Sequence, residues 1–357
     1  MIADIKVNKP EPIAIGENLK TFKYGVKVGS TIKALEQGEF ILIEEFYQDG
    51  IFLIKELHNY LKSKLPNNTF QEQRIYRSEF HRLSSLILLE IVDHKISVKK
   101  SPDIGWLEKL YPENGHFFLT FPQIQGLNSA WQWYHNGISI PVLRNKLHPY
   151  YGTYFPTRFE HLELFDNWLK RYEGPKKTAM DVGVGCGVLS LQMVQHGFQK
   201  VYATDINPNA IIGLTEFMGT TKLSRKIELD FGHLFGKWDK PTELIVFNPP
   251  WLPESPELGL SGLDGAIYYN KTLFTEFFTE AKKRLLPEGK LIVIFSNLAQ
   301  ITEVATKHPI EIELAKGGRF KLERCFKKSV RAASDKTKRD QHWRNLEEVE
   351  LWVLTHG

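Results

Sequence analysis

The sequence predicts an α/β fold, a mostly parallel sheet with helices on both faces, preceded by a mixed α+β accessory region. Three observations carry that expectation. From Thr178 onward, short apolar runs alternate with helix-length segments, the pattern of a sheet buried between two helical layers. Just before the alternation begins, Gly174-Pro175-Lys176-Lys177 punctuates the chain. The length of 357 residues leaves room for two domains at roughly 150 residues each, and the change of period places them at 1–145 and 146–357.

In the first part, apolar positions from Phe40 to about Asp93 read as helical: Ile41, Leu42, Ile43 and Phe46, then Ile51, Phe52, Ile54, Leu57 and Leu61, then Leu83, Leu86, Ile87, Leu88 and Ile91. His116–Phe121 and Trp131–Tyr134 read as strands, and Asn136-Gly137 ahead of Ile138-Ser139-Ile140 predicts a hairpin turn. In the second part, Leu162–Tyr172 reads as a helix. The alternation then runs through strand Thr178–Val184, helix Val188–Gln195, strand Lys200–Ile206 and helix Asn209–Met218. It continues with strands at Ile227–Leu229 and Leu244–Phe247, a long helix from about Asn270 to Leu286, and strand Lys290–Phe295. Strand-like segments at Phe320–Phe326 and Val349–Leu354 follow, with one antiparallel strand expected near them. In such a sheet, ligands sit at the carboxyl ends of the strands.

Hydrophobic residues at 42%, charged at 25% and aromatic at 12% describe a chain able to bury a sizeable core, which excludes disorder throughout. Basic residues number 46 against 42 acidic, and a net charge of +4 is too weak a field to argue for nucleic acid or an anionic membrane. The two cysteines, Cys186 and Cys325, give neither a disulfide framework nor zinc-ligand spacing and fit a reducing compartment. The 12 histidines form no close metal-ligating pair, so no metal is expected. Met1–Lys6 lacks the apolar core of a secretion signal, and no apolar run approaches the roughly 20 residues that span a bilayer. The chain reads as a soluble cytoplasmic protein with no membrane partner.

Three motifs fall at predicted strand ends. Asp181-Val182-Gly183-Val184-Gly185-Cys186-Gly187 lies where a strand gives way to a helix, and its alternate glycines let backbone bend tightly and approach a ligand. Dinucleotides, phosphates and tight packing all use such turns, but Gly183, Gly185 and Gly187 give G-x-G-x-G rather than the G-x-G-x-x-G of dinucleotide-binding turns. Asp205, followed by Ile206, ends the next strand roughly 20 residues on, where a carboxylate can accept both hydroxyls of a ribose. Its bland alternative is a helix cap, for which Asn207 before Pro208 is better placed. Asn248-Pro249-Pro250-Trp251 ends the fourth strand; two prolines cannot donate, so the segment leaves the sheet with carbonyls free to accept. The Asn248 oxygen and the Pro249 carbonyl together suit both hydrogens of a planar NH2 group, with the Trp251 ring against its face. A rigid strand exit with Trp251 in the core is the plainer reading.

In this order, the three motifs resemble those of the class I S-adenosylmethionine-dependent methyltransferases, a Rossmann-like fold, over about the last 200 residues. Asn248-Pro249-Pro250-Trp251 is similar to the Asn/Asp-Pro-Pro-aromatic motif of enzymes that methylate amide or exocyclic amine nitrogens. Gly262-Leu263-Asp264-Gly265 and Gly152-Thr153-Tyr154-Phe155-Pro156-Thr157-Arg158-Phe159-Glu160 narrow the likeness to the release-factor glutamine methyltransferases and their relatives. The resemblance implies S-adenosylmethionine as cofactor, held by Asp181, Gly183, Gly185, Gly187, Asp205, Ile206 and Asn248. Where many members place an acid on adenine, this chain has His233 and Leu234, with Asp230 slightly before them. Asn248, Pro249, Pro250 and Trp251 are then the catalytic segment, which aligns a nitrogen lone pair with an activated methyl group and excludes water. Trp251 departs from the family's usual tyrosine, and the N-terminal part does not match the small helical substrate-binding domain of the glutamine enzymes.

The acceptors implied are, in order, a protein glutamine or other amide, an RNA or DNA base amine, and a small metabolite. A catalytically silent cofactor-binding scaffold and a nicotinamide oxidoreductase are the rival classes. Cys186 reads as a small side chain within the glycine loop rather than a catalytic thiol. The basic positions Lys316, Arg319, Lys321, Arg324, Lys327, Lys328, Arg331, Lys336, Lys338 and Arg339, with Phe320, Phe326 and Trp343 interleaved, suit either RNA contact or a solvated face. Trp106, Trp131, Trp133, Tyr134, Tyr150, Tyr151 and Tyr154 suit either an acceptor pocket or core.

Overall fold

The structure, a computed structural model, describes residues 5–16, 19–66, 70–219, 221–254, 267–331 and 346–357. They form two compact units, one spanning Lys9–His135 and the other joining the residues up to Asn8 with Asn136–Gly357.

The first unit runs β1 (Leu19–Phe22), α1 (Val28–Glu36), β2 (Phe40–Ile43), α2 (Tyr47–Lys64), α3 (Phe70–Ser84), β3 (Ile87–Val92), β4 (Lys95–Ile96), α4 (Trp106–Leu110), β5 (His116–Thr120) and α5 (Phe121–Asn136). β1, β2 and β3 pair in parallel, and β4 and β5 each pair antiparallel with β3. The unit is mixed, but three of its local expectations fail. Phe40–Ile43 and the run at Ile87, Leu88 and Ile91 are strands, not helix. β3 is buried on both faces through Ile87, Leu88, Leu89 and Ile91, and β2 buries Ile41 and Ile43 with Phe40 and Leu42 half-buried behind them, so neither strand shows the polar alternation that would betray it. Trp131–Tyr134 is helical, part of α5, where Ile124, Leu127 and Trp131 keep helical spacing. Asn136-Gly137 forms no hairpin turn either: Asn136 ends α5 and Gly137 takes φ +68°, the left-handed geometry that terminates a helix.

The second unit contains α6 (Glu160–Leu169), β6 (Thr178–Val182), α7 (Val188–Gln195), β7 (Lys200–Asp205), α8 (Pro208–Gly219), β8 (Ile227–Phe231) and β9 (Thr242–Phe247). After β10 (Leu252–Pro253) and β11 (Tyr268–Tyr269) come α9 (Leu273–Arg284), β12 (Leu285–Ser296), α10 (Leu298–Ile301), α11 (Pro309–Ala315), β13 (Phe320–Ser329) and β14 (Glu348–His356). Among the described residues seven of these strands make one sheet, ordered β13-β14-β12-β9-β6-β7-β8. β14 runs antiparallel to both β12 and β13, and the remaining pairs are parallel. This is the class I methyltransferase architecture.

The sheet is covered on both faces, and β9 shows how. All six of its residues are buried. Leu244 and Val246 enter the apolar layer built with Leu162, Phe165 and Leu189, while Ile245 and Phe247 enter the opposite layer with Phe274, Phe277 and Phe278. Each such side chain contributes about 2 kcal/mol through burial. The order of strands then positions the site. From β6 the chain steps outward through β7 and β8 and returns to β9 on the other side of β6, so a crevice opens where the direction of winding reverses. Val182 and Phe247 are register partners there, and Asp205 and Phe231 are partners one step along. Each motif therefore begins at the carboxyl end of a strand adjacent to another motif's strand.

Candidate active site

The glycine loop leaves β6 as bare backbone. Gly183, Gly185 and Gly187 have φ of +71°, +52° and +87°, a region that costs L side chains strain. A Cβ at Gly183 would meet nothing nearer than the Phe247 ring at 3.6 Å, and one at Gly185 nothing nearer than the Tyr154 carbonyl at 3.5 Å, so the loop is open to close approach by a ligand. Gly187 differs, because a Cβ there would stand 2.6 Å from Leu214 and its role is tight helix packing.

Asp205 closes on that loop. Its Oδ2 accepts the Gly185 amide at 2.7 Å and its Oδ1 accepts the Asn207 amide at 2.8 Å. Burial raises its pKa, against the lowering effect of those backbone donors. Each oxygen keeps a second lone pair, so the carboxylate can still accept from a ribose diol. Asn207 performs the capping: its Oδ1 accepts the Asn209 amide at 3.0 Å at the start of α8. Next to Asp205, Ile206 is 65% exposed and Phe231 is 46% exposed, two large apolar side chains left uncovered at the strand ends. Phe231 escaped the sequence reading, although its place at the end of β8 was a usable signal.

Asp181 lies beneath the loop rather than in it. It is fully buried, its Oδ2 accepts the Ser190 hydroxyl at 2.6 Å, and its Oδ1 has no partner. Burial pushes its pKa up to about 7. Cys186 is buried as well, and desolvation pushes its thiol up to about 12, the wrong direction for a nucleophile. Of the adenine-side candidates, Asp230 is engaged with its own turn: Oδ2 accepts the Lys237 amide at 2.9 Å and Oδ1 pairs with Lys237 Nζ at 2.9 Å. His233 is exposed and lies 3.0 Å from Glu276, and the Leu234 carbonyl accepts the Thr204 hydroxyl. An exposed apolar pair, an open glycine backbone and an acid tied to it fit a nucleoside bearing a charged tail, as in S-adenosylmethionine.

At the exit of β9, Pro249 is buried while Asn248, Pro250 and Trp251 are half-buried. The Trp251 indole N–H donates to Asn248 Oδ1 at 3.1 Å. Its ring lies edge-on to His161, with centroids 5.6 Å apart and planes at 89°. His161 is buried on α6, and desolvation pushes its pKa down to about 4, so it stands there as a neutral ring. A lone histidine outside any motif gave no warning of this contact.

The segment before α6 is tied down over these strand ends. The Asn207 amide group donates to the Gly152 carbonyl at 2.8 Å, and buried Asn209 donates to Tyr151 at 2.8 Å and to Asn8 at 2.6 Å. Arg158 pairs with buried Glu347 at 2.7 Å, and Glu160 accepts the Arg331 amide at 3.2 Å. Gly262-Leu263-Asp264-Gly265 lies outside the described residues, as do Lys336, Lys338, Arg339 and Trp343.

Four of the described basic positions are held in ion pairs. Lys316 and Arg319 pair with Glu313, Lys327 pairs with Glu350, and Lys328 pairs with Glu163. Lys321 and Arg324 are exposed on β13, with Arg324 over the Phe326 ring at 5.3 Å. Of the aromatic set, Trp106 is fully buried and packs edge-on to Trp131 at 5.6 Å, which is core packing in the first unit. Tyr150 is buried, whereas Trp133 and Tyr154 are each 44% exposed.

Residues 163–322 match the family model of the methyltransferase small domain. A Methanocaldococcus jannaschii protein provisionally named a protein N5-glutamine methyltransferase is 26% identical over 52% of this chain and 92% of its own length. A release factor glutamine methyltransferase from Dictyoglomus turgidum is 34% identical over 31% of this chain and 44% of its own. A tRNA1(Val) (adenine(37)-N6)-methyltransferase from Shewanella loihica is 26% identical over 34% of this chain and 53% of its own. The chain thus spans about half the length of the last two. Among the described residues no helix is long and apolar enough to cross a membrane.

Proposed function

We propose that this chain, which is a class I S-adenosylmethionine-dependent methyltransferase, methylates a planar amide or amine nitrogen, and that this nitrogen is a glutamine side chain of a protein. The observation that carries the reading is the Asn248-Pro249-Pro250-Trp251 exit of β9, set one strand from the glycine loop by the Val182 and Phe247 pairing. The archaeal relative covered over 92% of its length supports glutamine as acceptor.

When bound, S-adenosylmethionine supplies a methyl group activated by its sulfonium. The remaining tasks fall to the chain. Asp205 and the bare backbone at Gly183 and Gly185 hold the nucleoside end, with Ile206 and Phe231 offering apolar surface to the base. Asn248 Oδ1 and the Pro249 carbonyl take the two N–H bonds of the acceptor, which turns its lone pair out of conjugation. Such orientation contributes several of the roughly 7–11 kcal/mol available from proximity. No side chain needs to act as a nucleophile. The unit Lys9–His135 serves, in this reading, to recognise the acceptor.

A second reading has its own support. The same geometry suits an exocyclic amine of an RNA base, and the tRNA adenine relative favours it. One experiment separates the two: purified protein and methyl-labelled S-adenosylmethionine are added to extract from a strain lacking the protein. Label that survives nuclease and is released by protease supports a protein acceptor, its recovery as N5-methylglutamine after enzymatic digestion supports glutamine, and label released by nuclease supports RNA. Asn248→Ala is expected to lower either labelling about a hundredfold, as loss of one fixed transition-state contact does. An unchanged rate in that variant removes the clamp from the reading.

A further inference from the structure

An asparagine amide can present either its oxygen or its NH2 group, and the two have opposite hydrogen-bonding sense. An acceptor NH2 is itself a donor, so only the oxygen-forward state of Asn248 can hold it. An indole N–H can only donate. The atom of Asn248 that meets Trp251 Nε1 at 3.1 Å is therefore the oxygen, and that oxygen keeps one lone pair for a second donor. Trp251 is positioned independently of Asn248: its ring abuts buried His161 edge-on at 5.6 Å and packs on the apolar layer containing Phe247 and Phe277. Pro249 and Pro250 add rigidity to the backbone between the two residues.

We propose that Trp251 is a positioning residue whose indole N–H locks the Asn248 amide oxygen-forward, so that the clamp is set for a planar NH2 donor before the acceptor arrives. This rests on the reading of Asn248 as part of the acceptor clamp. Preorganised acceptors need no rotation as charge develops, which is where a fixed dipole has most effect on rate. Without the indole donor, the amide is free to turn its NH2 group toward the acceptor and set donor against donor.

The test replaces Trp251 in two ways. Trp251→Phe removes the donor and part of the ring. Site-specific benzothienylalanine at 251 keeps the bicyclic ring and puts sulfur in place of the N–H, so packing on His161 is retained. Both are assayed, beside Asn248→Ala, by initial labelling of the deletion-strain extract across a range of S-adenosylmethionine concentrations. The expected result is a fall of about tenfold in maximal rate for the isostere, the worth of one hydrogen bond. The KM for S-adenosylmethionine, the calorimetric affinity for S-adenosylhomocysteine and the melting temperature should stay at wild-type values. Adding the isostere to Asn248→Ala should cost nothing further, since both act through one amide. Full activity of the isostere alongside a crippled Asn248→Ala overturns the role of Trp251 and leaves the clamp standing. Full activity of Asn248→Ala overturns both. A rise in KM without a change in maximal rate assigns Trp251 to cofactor binding and overturns the proposal.

Discussion

Gly185 donates its amide N–H to the Asp205 carboxylate at 2.7 Å, across two parallel strands that are neighbours in the sheet. The acid and the glycine loop are thus one object, and a ligand that touches one meets the other. Removing the carboxylate frees the loop and, in the proposed site, also deletes the diol acceptor. Asp205→Ala is expected to weaken S-adenosylhomocysteine binding by about ten- to a hundredfold, the range for hydrogen bonds to a charged group. Isothermal calorimetry checks this, and wild-type affinity would remove Asp205 from the cofactor site.

Packing, not ligand contact, sets the outcome at Gly187. Its φ of +87° and the 2.6 Å approach of Leu214 to a built Cβ mean that any side chain is both strained and crowded. Gly187→Ala should cost about 1–3 kcal/mol of stability. Chemical denaturation measures that loss directly, and a stability equal to wild type would show that the loop relaxes freely.

Much of this was legible because the second unit is periodic and its motifs sit at strand ends. Val188–Gln195 is the same helix in sequence and structure, and β6, β7 and β9 lie within two residues of their expected bounds, whereas β12 begins five residues before the expected Lys290 and takes Leu285 and Leu286 from the expected helix. The first unit was harder for a physical reason. Phe40-Ile41-Leu42-Ile43 is apolar at every position, as a buried parallel strand is, and such a run cannot be told from helix by period alone. Asn136-Gly137 is ambiguous in a different way, since a left-handed glycine serves a hairpin and a helix end equally. The site's supports were hidden by distance along the chain: Arg158 meets Glu347, and Glu160 meets Arg331, only once the fold has formed.

Buried Asp181 gives the protein a pH dependence with a definite sign. Its pKa is about 7 in the folded chain and 3.8 as the unperturbed value, so between those limits the folded state binds more protons than the unfolded one. Stability therefore falls as pH rises from about 4 to about 7, by an amount on the order of 4 kcal/mol. Asp181→Asn cannot ionise and should lack that slope while keeping an acceptor for Ser190. Denaturation midpoints of cofactor-free protein at pH 5 and pH 8 provide the comparison. Parallel curves for wild type and variant would refute the assignment.

Glu350 makes the opposite prediction from an equally buried place. It pairs with Lys327 at 2.7 Å, accepts the Trp352 indole N–H at 2.8 Å, and lies 3.0 Å from His308 Nε2. Burial alone would raise its pKa, but the His308, Lys327 and Trp352 contacts outweigh it and hold the value at about 2, against 4.5 unperturbed. Here the unfolded state binds more protons in the window, so the contribution is whole above about 4.5 and is lost as pH falls toward 2. Its size is on the order of 3 kcal/mol. Glu350→Gln should be destabilised by about that much at pH 7, and its difference from wild type should vanish near pH 2. Lys327→Ala should cost less, about 1 kcal/mol, because the Lys327 side chain is 52% exposed and water screens its charge. Equal losses in the two variants would mean that the pair acts as one buried unit, and that exposure does not weaken Lys327.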